Sequence, residues 1–171
     1  MAQELERIRH RLETEGQKTM AYLEALPSEA WQQQVYQAGP AWRVHEVLAH
    51  LVSAETTFAR YLEQVLGGGP GVPRDLDIDA FNAQAVAELA LASKEDLQAA
   101  FAQARAQTVR LVGGLTESDL QRPSYHPWLG DTALGEILQL VYRHTMLHQR
   151  DVRRALESGA PLPAGAQAAD A

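Results

Sequence analysis

Apolar residues recur along most of the chain at the spacing of one face of an α-helix. This recurrence predicts a first helix over Ala2–Leu26, which Pro27 ends. A second helix is predicted over Arg43–Leu66, between the Gly39–Pro40 turn and a glycine-rich run that starts at Gly67. Its predicted core face consists of Val44, Val47, Leu48, Leu51, Phe58, Leu62 and Val65.

Two further helical regions are predicted in the second half of the chain. The region Asp77–Val112 is predicted as two pieces, because Ser93 followed by acidic residues is typical of a helix N-terminus. The last helix is predicted to run to Ser158, with Asp131 or Thr132 as its N-cap. No segment alternates as a strand does, so the loop before this helix is predicted to lack strands.

These elements indicate an all-α fold with a single domain. Four long amphipathic helices favour an antiparallel four-helix bundle over residues 1–158, with some long connections. Residues 159–171 are rich in alanine, proline and glycine, and we predict that they form a flexible C-terminal tail.

The composition of the chain narrows the classes of partner. Its 171 residues carry a formal net charge of −7, so nucleic acid is not an expected partner, because phosphate contacts need a concentrated basic face. The chain contains no cysteine, which excludes disulfides, thiolate metal sites and an internal thiol nucleophile. It has no apolar run of transmembrane length and no signal-peptide core near its start. We therefore expect a cytoplasmic protein without a membrane partner.

The last predicted helix carries two histidines on its apolar side. His144 and His148 are four residues apart, so their imidazoles project from one side of the helix about one turn apart. The pair is either structural or a metal site, because buried imidazoles can satisfy each other by sharing a divalent ion. His50, at the margin of the second helix's core face, supplies a third imidazole and favours the metal site. Three ligands with an open fourth position are typical of a catalytic zinc-type site.

Three other side chains are candidates for a pocket beside this site. Glu46 lies four residues before His50 and either orients it, supplies an oxygen ligand, or is a surface carboxylate. Asp151, three residues after His148, has the same alternatives. Asn82, one turn into the third helix, either lines a pocket or caps exposed backbone.

The remaining histidines and one tryptophan are predicted to have no part in chemistry. His10 lies among charged residues and is expected to be solvated. His126 lies in the loop before the last helix; a position near the site at the bundle mouth is the alternative that the sequence favours less. His45 and Glu46 do not form the zinc-protease motif, because the next histidine comes one residue too late to share a helix face. Trp42 is predicted to anchor the incoming loop in the core.

Two segments carry a resemblance to a known family. The run Trp42–Leu51 resembles the pattern W-[ST]-V-x-E-V-L-x-H-L of DinB-like proteins, and His144-x-x-x-His148 with the following Arg150–Leu156 resembles their later histidine pair. Asp79–Ala83 is similar to the start of the third helix in actinobacterial-type relatives. The family includes the YfiT-type bacillithiol transferases and the mycothiol-dependent maleylpyruvate isomerases.

The resemblance implies a four-helix bundle with a three-histidine site for a divalent metal, often zinc or nickel. Carried over by position, the ligands are His50, His144 and His148. The isomerase branch has a glutamate at the first position of the late pair, so this chain is similar to the all-histidine branch. Arg43 replaces the usual serine or threonine at the helix start and weakens that N-cap.

Several functions remain open from the sequence. The first is a metal-dependent thiol S-transferase, in which the open metal position binds a low-molecular-weight thiol and lowers its pKa. The second is a metal-dependent hydrolase, and the third is a protein that binds or sequesters a small ligand without catalysis. A bundle that keeps its histidines but has no activity is the fourth. In the first three cases we expect a small-molecule partner, and in all four a homodimer.

Overall fold

Helices make up most of the protein. The computed structural model describes residues 3–39, 41–69 and 71–163. The α-helices formed within these residues are α1 (Gln3–Glu24), α2 (Val44–Leu66), α3 (Ile78–Leu89), α4 (Lys94–Gly113) and α5 (Leu134–Ser158). The connections contain two strands, β1 (Pro123–His126) and β2 (Gly130–Ala133), and two short 3₁₀ helices, Ser28–Gln32 and Glu117–Gln121. The predicted all-α four-helix bundle is confirmed, with α3 packed on α2 as an additional helix. None of the described helices is both long and apolar enough to cross a membrane.

Contacts between side chains show the direction of the bundle helices. Helices α1 and α5 run in the same direction, because Gln139 donates to Glu4 and, further along both helices, Thr19 donates to Gln149. Helices α2 and α4 also share a direction, opposite to that of α1 and α5. The contacts that show this are Glu55–Arg105, Glu63–Gln107 and Leu5–Glu117. The long connection through α3 allows α2 and α4 to be neighbours that run the same way.

A polar layer divides the apolar core at the middle of the bundle. One apolar cluster joins the first halves of α2 and α4 to the later parts of α1 and α5. The other joins the later parts of α2 and α4 to the first halves of α1 and α5. Between them lie buried polar side chains from every bundle helix: Glu15, Thr19, His50, Glu55, Arg105, Thr108, His144, Thr145, His148 and Asp151. Because buried polar groups need partners, each of these side chains requires a hydrogen bond, an ion pair or a bound ion.

The third helical region is divided as the sequence predicts. Helix α3 begins after Asp77, whose carboxylate accepts the backbone N–H of Ala80. Helix α4 begins after Ser93, whose hydroxyl accepts the backbone N–H of Asp96. Both residues satisfy an N–H group that the first turn of a helix leaves without a partner.

The connection before α5 is a β-hairpin, although the sequence predicts no strand there. Strands β1 and β2 pair antiparallel, with His126 opposite Gly130. Asp131 and Thr132 lie in β2, so the prediction that one of them caps α5 is wrong, and Ala133 precedes the helix instead. Each strand has four residues, which is too short for alternation to be recognised. The turn also depends on Gly130, which adopts a φ of +69°.

The chain after α5 remains attached to the bundle at Leu162. Its side chain is buried, its N–H donates to the carbonyl of Val35, and its carbonyl accepts from the N–H of Gln37. The prediction of a flexible tail from residue 159 is therefore wrong at its start, because backbone pairing and an apolar anchor hold this segment. The rest of the predicted tail, residues 164–171, lies outside the described residues.

Candidate metal centre

Three histidine side chains meet in the polar layer between α2 and α5. Helix α2 carries His50, and α5 carries His144 and His148. The Nε2 atom of His144 lies 3.0 Å from Nε2 of His50 and 3.0 Å from Nε2 of His148. All three side chains are buried, and their ligand atoms lie within 4.8 Å of one another. The structure thus brings together the three residues that the sequence suggests as ligands.

The charge state of these imidazoles suits metal coordination. Burial lowers the pKa of His50 to about 4. Burial also lowers the pKa of both His144 and His148 well below 6.5, and the neighbouring imidazoles lower it further. All three rings are therefore neutral at pH 7, and each has one ring nitrogen with a lone pair.

Hydrogen bonding alone does not satisfy this cluster. A ring nitrogen of a neutral imidazole carries either one proton or one lone pair. Nε2 of His144 therefore forms one good hydrogen bond and cannot form two, although it has two close neighbours. A divalent ion accepts a lone pair from each Nε2 at once, so the donor set fits such an ion. Imidazole nitrogens suit zinc, copper, iron and nickel.

A tyrosine contacts the ring nitrogen of His148 that does not face the other histidines. The hydroxyl oxygen of Tyr36 lies 2.7 Å from Nδ1 of His148, and the same hydroxyl donates to the carboxylate of Asp151 at 3.2 Å. When Nε2 of His148 binds an ion, its proton is on Nδ1 and donates to Tyr36. Of the alternatives left open for Asp151, these contacts favour the orienting role over that of a ligand, because its carboxylate reaches His148 through Tyr36 and is not part of the three-histidine group. Burial raises the pKa of Asp151, while Arg150 and Tyr36 act in the opposite direction.

Packing, in contrast, holds His50. The ring of Trp42 lies 4.7 Å from that of His50, measured between centroids, and the indole is buried as predicted for a core anchor. Nδ1 of His50 is buried and has no hydrogen-bond partner among the described residues. The position of this ring therefore depends on contact with Trp42 and on the backbone of α2.

Glu46 takes neither of the two functional roles that the sequence left open for it. Its carboxylate accepts the backbone N–H of Arg43 at 2.7 Å, which caps the start of α2. It neither orients His50 nor supplies a ligand, because the unpaired N–H groups at the helix start attract the carboxylate.

An apolar cavity of about 50 Å³ is lined by two of the three histidines, His50 and His144. The rest of its wall comes from α2, the connection from α2 to α3, α3 itself and the hairpin. Asn82 lies in its wall. Phe58, predicted as a core residue of α2, packs against the apolar core and also lines the cavity. The cavity gives a small molecule a place beside His50 and His144.

The hairpin brings a fourth histidine, His126, to this cavity, which is the alternative that the sequence favoured less. Nδ1 of His126 accepts the backbone N–H of Trp128, and its ring stacks on Phe58 with centroids 5.8 Å apart. The ring of Trp128 lies 5.8 Å from that of His144. Burial lowers the pKa of His126 to about 4. The sequence does show a turn at His126–Gly130 between two amphipathic helices. Whether that turn places His126 at the cavity depends on a hairpin that is too short to predict.

A buried ion pair lies in the same polar layer. The guanidinium of Arg105 forms two hydrogen bonds of 2.8 Å with the carboxylate of Glu55 and a third, of 2.9 Å, with the hydroxyl of Thr145. It also donates to the carbonyl of Leu12. This one side chain therefore links all four bundle helices beside His144.

Known proteins share both the sequence pattern and the fold. The profile of the DinB superfamily matches residues 11–152. YfiT from Bacillus subtilis, described as a probable metal-dependent hydrolase with an unusual four-helix bundle topology, has a TM-score of 0.74 at 18% identity, covering 94% of this chain and 91% of that chain. An uncharacterised protein from Escherichia coli UTI89 has a TM-score of 0.73 at 16% identity, covering 92% of this chain and 96% of that chain.

The mycothiol-dependent maleylpyruvate isomerase also has this fold, in part of its length. Its TM-score is 0.73 at 11% identity, and the match covers 86% of this chain and 60% of the isomerase. No curated protein matches the sequence. These structural identities are too low to show more than the fold, but the superfamily profile spans most of the chain and includes all three histidines. The chain belongs to the DinB superfamily.

Proposed function

We propose that this protein is a metal-dependent enzyme that transfers a low-molecular-weight thiol to a small electrophile. The observation that carries the proposal is the convergence of three neutral, buried imidazole nitrogens on one point beside an apolar cavity. His50, His144 and His148 would hold one divalent ion, zinc or nickel. Since the chain has no cysteine, the thiol must arrive as a substrate or cofactor.

Each part of the site has a separate task in this proposal. A divalent ion held by three imidazoles keeps a position open for an incoming thiol or water and lowers the pKa of that group. Tyr36 holds the ring of His148 in the orientation that points Nε2 at the other two histidines. Trp42 covers His50 and excludes water from its far side. Asn82, in the wall of the cavity, supplies a polar contact for the acceptor.

Metal content and thiol transfer test the proposal together. Protein stripped with a chelator and reloaded with zinc or nickel should contain about one ion per chain by elemental analysis. The double variant His144→Ala, His148→Ala should contain none. His10→Ala is the matched control, because this histidine is exposed on α1, and it should keep full metal content. Full occupancy in the double variant would refute the metal site.

A screen of thiol cofactors with electrophilic acceptors then tests the reaction. Transfer should require the metal, disappear in His50→Ala, and show no burst from a covalent enzyme intermediate, because the chain has no cysteine to carry one. The second candidate is a hydrolase, favoured by the description of YfiT as a probable metal-dependent hydrolase. Hydrolysis of esters or amides without thiol transfer would select it. Tight binding of a small ligand with neither reaction would instead support a sequestering protein.

A further inference from the structure

The three histidines lie inside the bundle, so an ion or a small molecule needs a route to them. His50 and His144 are only 3% and 5% exposed, whereas Trp128, which lines the same cavity, is 51% exposed. We infer that the route opens where the connection from α2 to α3 separates from the hairpin, and that contacts of Arg74 hold these two segments together. The inference concerns access to the histidines, whatever reaction takes place there.

The cavity lies between two segments that are distant in the sequence. One wall comes from the connection and the start of α3, with the lining residues Val72, Leu76, Ile78, Phe81 and Asn82. The facing wall comes from the turn of the hairpin, with His126, Pro127 and Trp128. Because the cavity lies between these walls, an increase in their separation connects it, and with it His50 and His144, to solvent.

Arg74 bonds one wall to the other. Its guanidinium donates to both carboxylate oxygens of Asp131, at 3.2 and 2.5 Å, and lies 4.6 Å from the ring centroid of Tyr125. The hydroxyl of Tyr125 donates to the carbonyl of Arg74 at 3.4 Å. No other hydrogen bond joins residues 71–77 to the hairpin within the part of the chain that the structure describes. We call these contacts of Arg74 with Asp131 and Tyr125 the Arg74 clasp.

Little else fixes the segment that carries Arg74. No side chain from residue 71 to residue 85 is fully buried, and the first that is buried, Val86, lies in the second half of α3. The hairpin is held better, because its His126 is buried and stacks on Phe58 of α2. Segments with few buried apolar contacts open locally at low cost. The connection and the start of α3 are therefore the part that moves.

Diethyl pyrocarbonate measures this opening in the metal-free protein, because it acylates neutral imidazoles that it can reach. Peptide mass analysis gives the initial rates at His50 and His144, and the exposed His10 of α1 is the internal reference. Arg74→Gln and Asp131→Asn should each raise the rate at the two buried histidines, relative to that at His10, about 2- to 5-fold. This range corresponds to the loss of one exposed ion pair.

Two comparisons separate the Arg74 clasp from a general effect of charge. Arg122→Gln is the matched control, because it removes an exposed arginine that bonds to Asp119 beside the hairpin without a contact to residues 71–77. It should leave the ratio of rates unchanged. An increase in ionic strength from about 0.01 M to about 1 M screens exposed ion pairs. It should therefore raise the ratio in the wild-type protein and change it less in Arg74→Gln.

Unchanged ratios in Arg74→Gln and Asp131→Asn overturn the inference, and so does an equal rise in Arg122→Gln. Hydrogen exchange of the Phe101 amide in the buried part of α4 should be the same in all proteins. A rise there in proportion to the acylation would show unfolding of the whole molecule, which also overturns it. A protein that opens in this way but never retains a metal contradicts only the proposed function. One that binds metal and shows unchanged ratios contradicts only this inference.

Discussion

At the scale of single residues, Tyr36 is the side chain whose removal tests the geometry of the metal centre. Its hydroxyl lies between Nδ1 of His148 and the carboxylate of Asp151. Loss of a partner that orients a metal-binding histidine typically costs about 10- to 100-fold in metal affinity. We therefore expect Tyr36→Phe to weaken zinc binding by that factor, as measured by competition with a chromophoric chelator.

Tyr142→Phe is the control for this prediction, because Tyr142 is a buried tyrosine in the second apolar cluster and has no hydrogen bond to the three histidines among the described residues. It should bind zinc as the wild type does. Equal affinities in the two variants would show that the hydroxyl of Tyr36 does not position His148.

The site residues differ in how well their roles can be predicted from the sequence. His144 and His148 could be paired from their spacing alone, because four residues on a helix always bring two side chains to one face. The partners of Glu46 and Asp151 could not be predicted from the sequence. In the structure a backbone N–H group binds the carboxylate of Glu46, and a tyrosine hydroxyl binds that of Asp151. The position of His126 was beyond reach, since it depends on the packing of a hairpin against α2.

At the scale of secondary-structure elements, the ion pair of Arg105 and Glu55 adds directional bonds between the bundle helices to their apolar contacts. Both side chains are buried, and Arg105 also bonds to α1 and α5. Removing one partner leaves an uncompensated buried charge, which typically costs about 3–5 kcal/mol. Arg105→Met should therefore lower the free energy of unfolding by about this amount in urea denaturation.

The double variant Arg105→Met, Glu55→Leu provides the matched comparison. It removes both charges and replaces them with apolar groups of similar size, so it should recover much of the lost stability. A double variant as unstable as Arg105→Met would mean that the bonds to Leu12 and Thr145 matter more than the ion pair.

The elements also differ in how well the sequence predicts them. The bundle helices span several turns each, and their apolar spacing and capping residues such as Ser93 agree with each other. The hairpin and the attachment of Leu162 involve only a few residues each and depend on pairing with distant parts of the chain. The local sequence pattern carries no information on such pairing. This explains why the hairpin was not predicted and why the segment around Leu162 was predicted to be flexible.

At the scale of the whole molecule, we expect two chains to associate. Symmetric dimers are by far the commonest homo-oligomers of soluble proteins. Light scattering at micromolar concentration should then give twice the monomer mass of 18.8 kDa. A mass of one chain under these conditions would contradict the dimer, and it would leave the metal centre unaffected because all three histidines come from one chain.

The stability of the metal-free protein should fall steeply in acid, and the sign follows from four buried histidines. In the unfolded chain their pKa is near 6.5, whereas burial lowers the pKa of His50 and His126 to about 4 and those of His144 and His148 further. Below pH 6.5 the unfolded state therefore binds more protons than the folded state, so stability is lost as the pH falls from 6.5 towards 4. Asp151 opposes this trend, because its raised pKa lets the folded state bind a proton first, but it is one group against four.

The size of the effect makes it measurable. Each histidine lowers the free energy of unfolding by up to about 1.4 kcal/mol for each pH unit below 6.5. The free energy of unfolding of a domain is about 5–15 kcal/mol in total. The metal-free protein should therefore unfold within about two to three pH units of neutrality. Urea denaturation of the metal-free protein at pH 7.5, 6.5, 5.5 and 4.5 should show a plateau and then a decline. His126→Gln removes one of the four groups and should make the decline shallower. A stability that stays constant down to pH 4.5 would mean that the three histidines of α2 and α5 are not held neutral in the core, which would also remove the physical basis for their binding a metal.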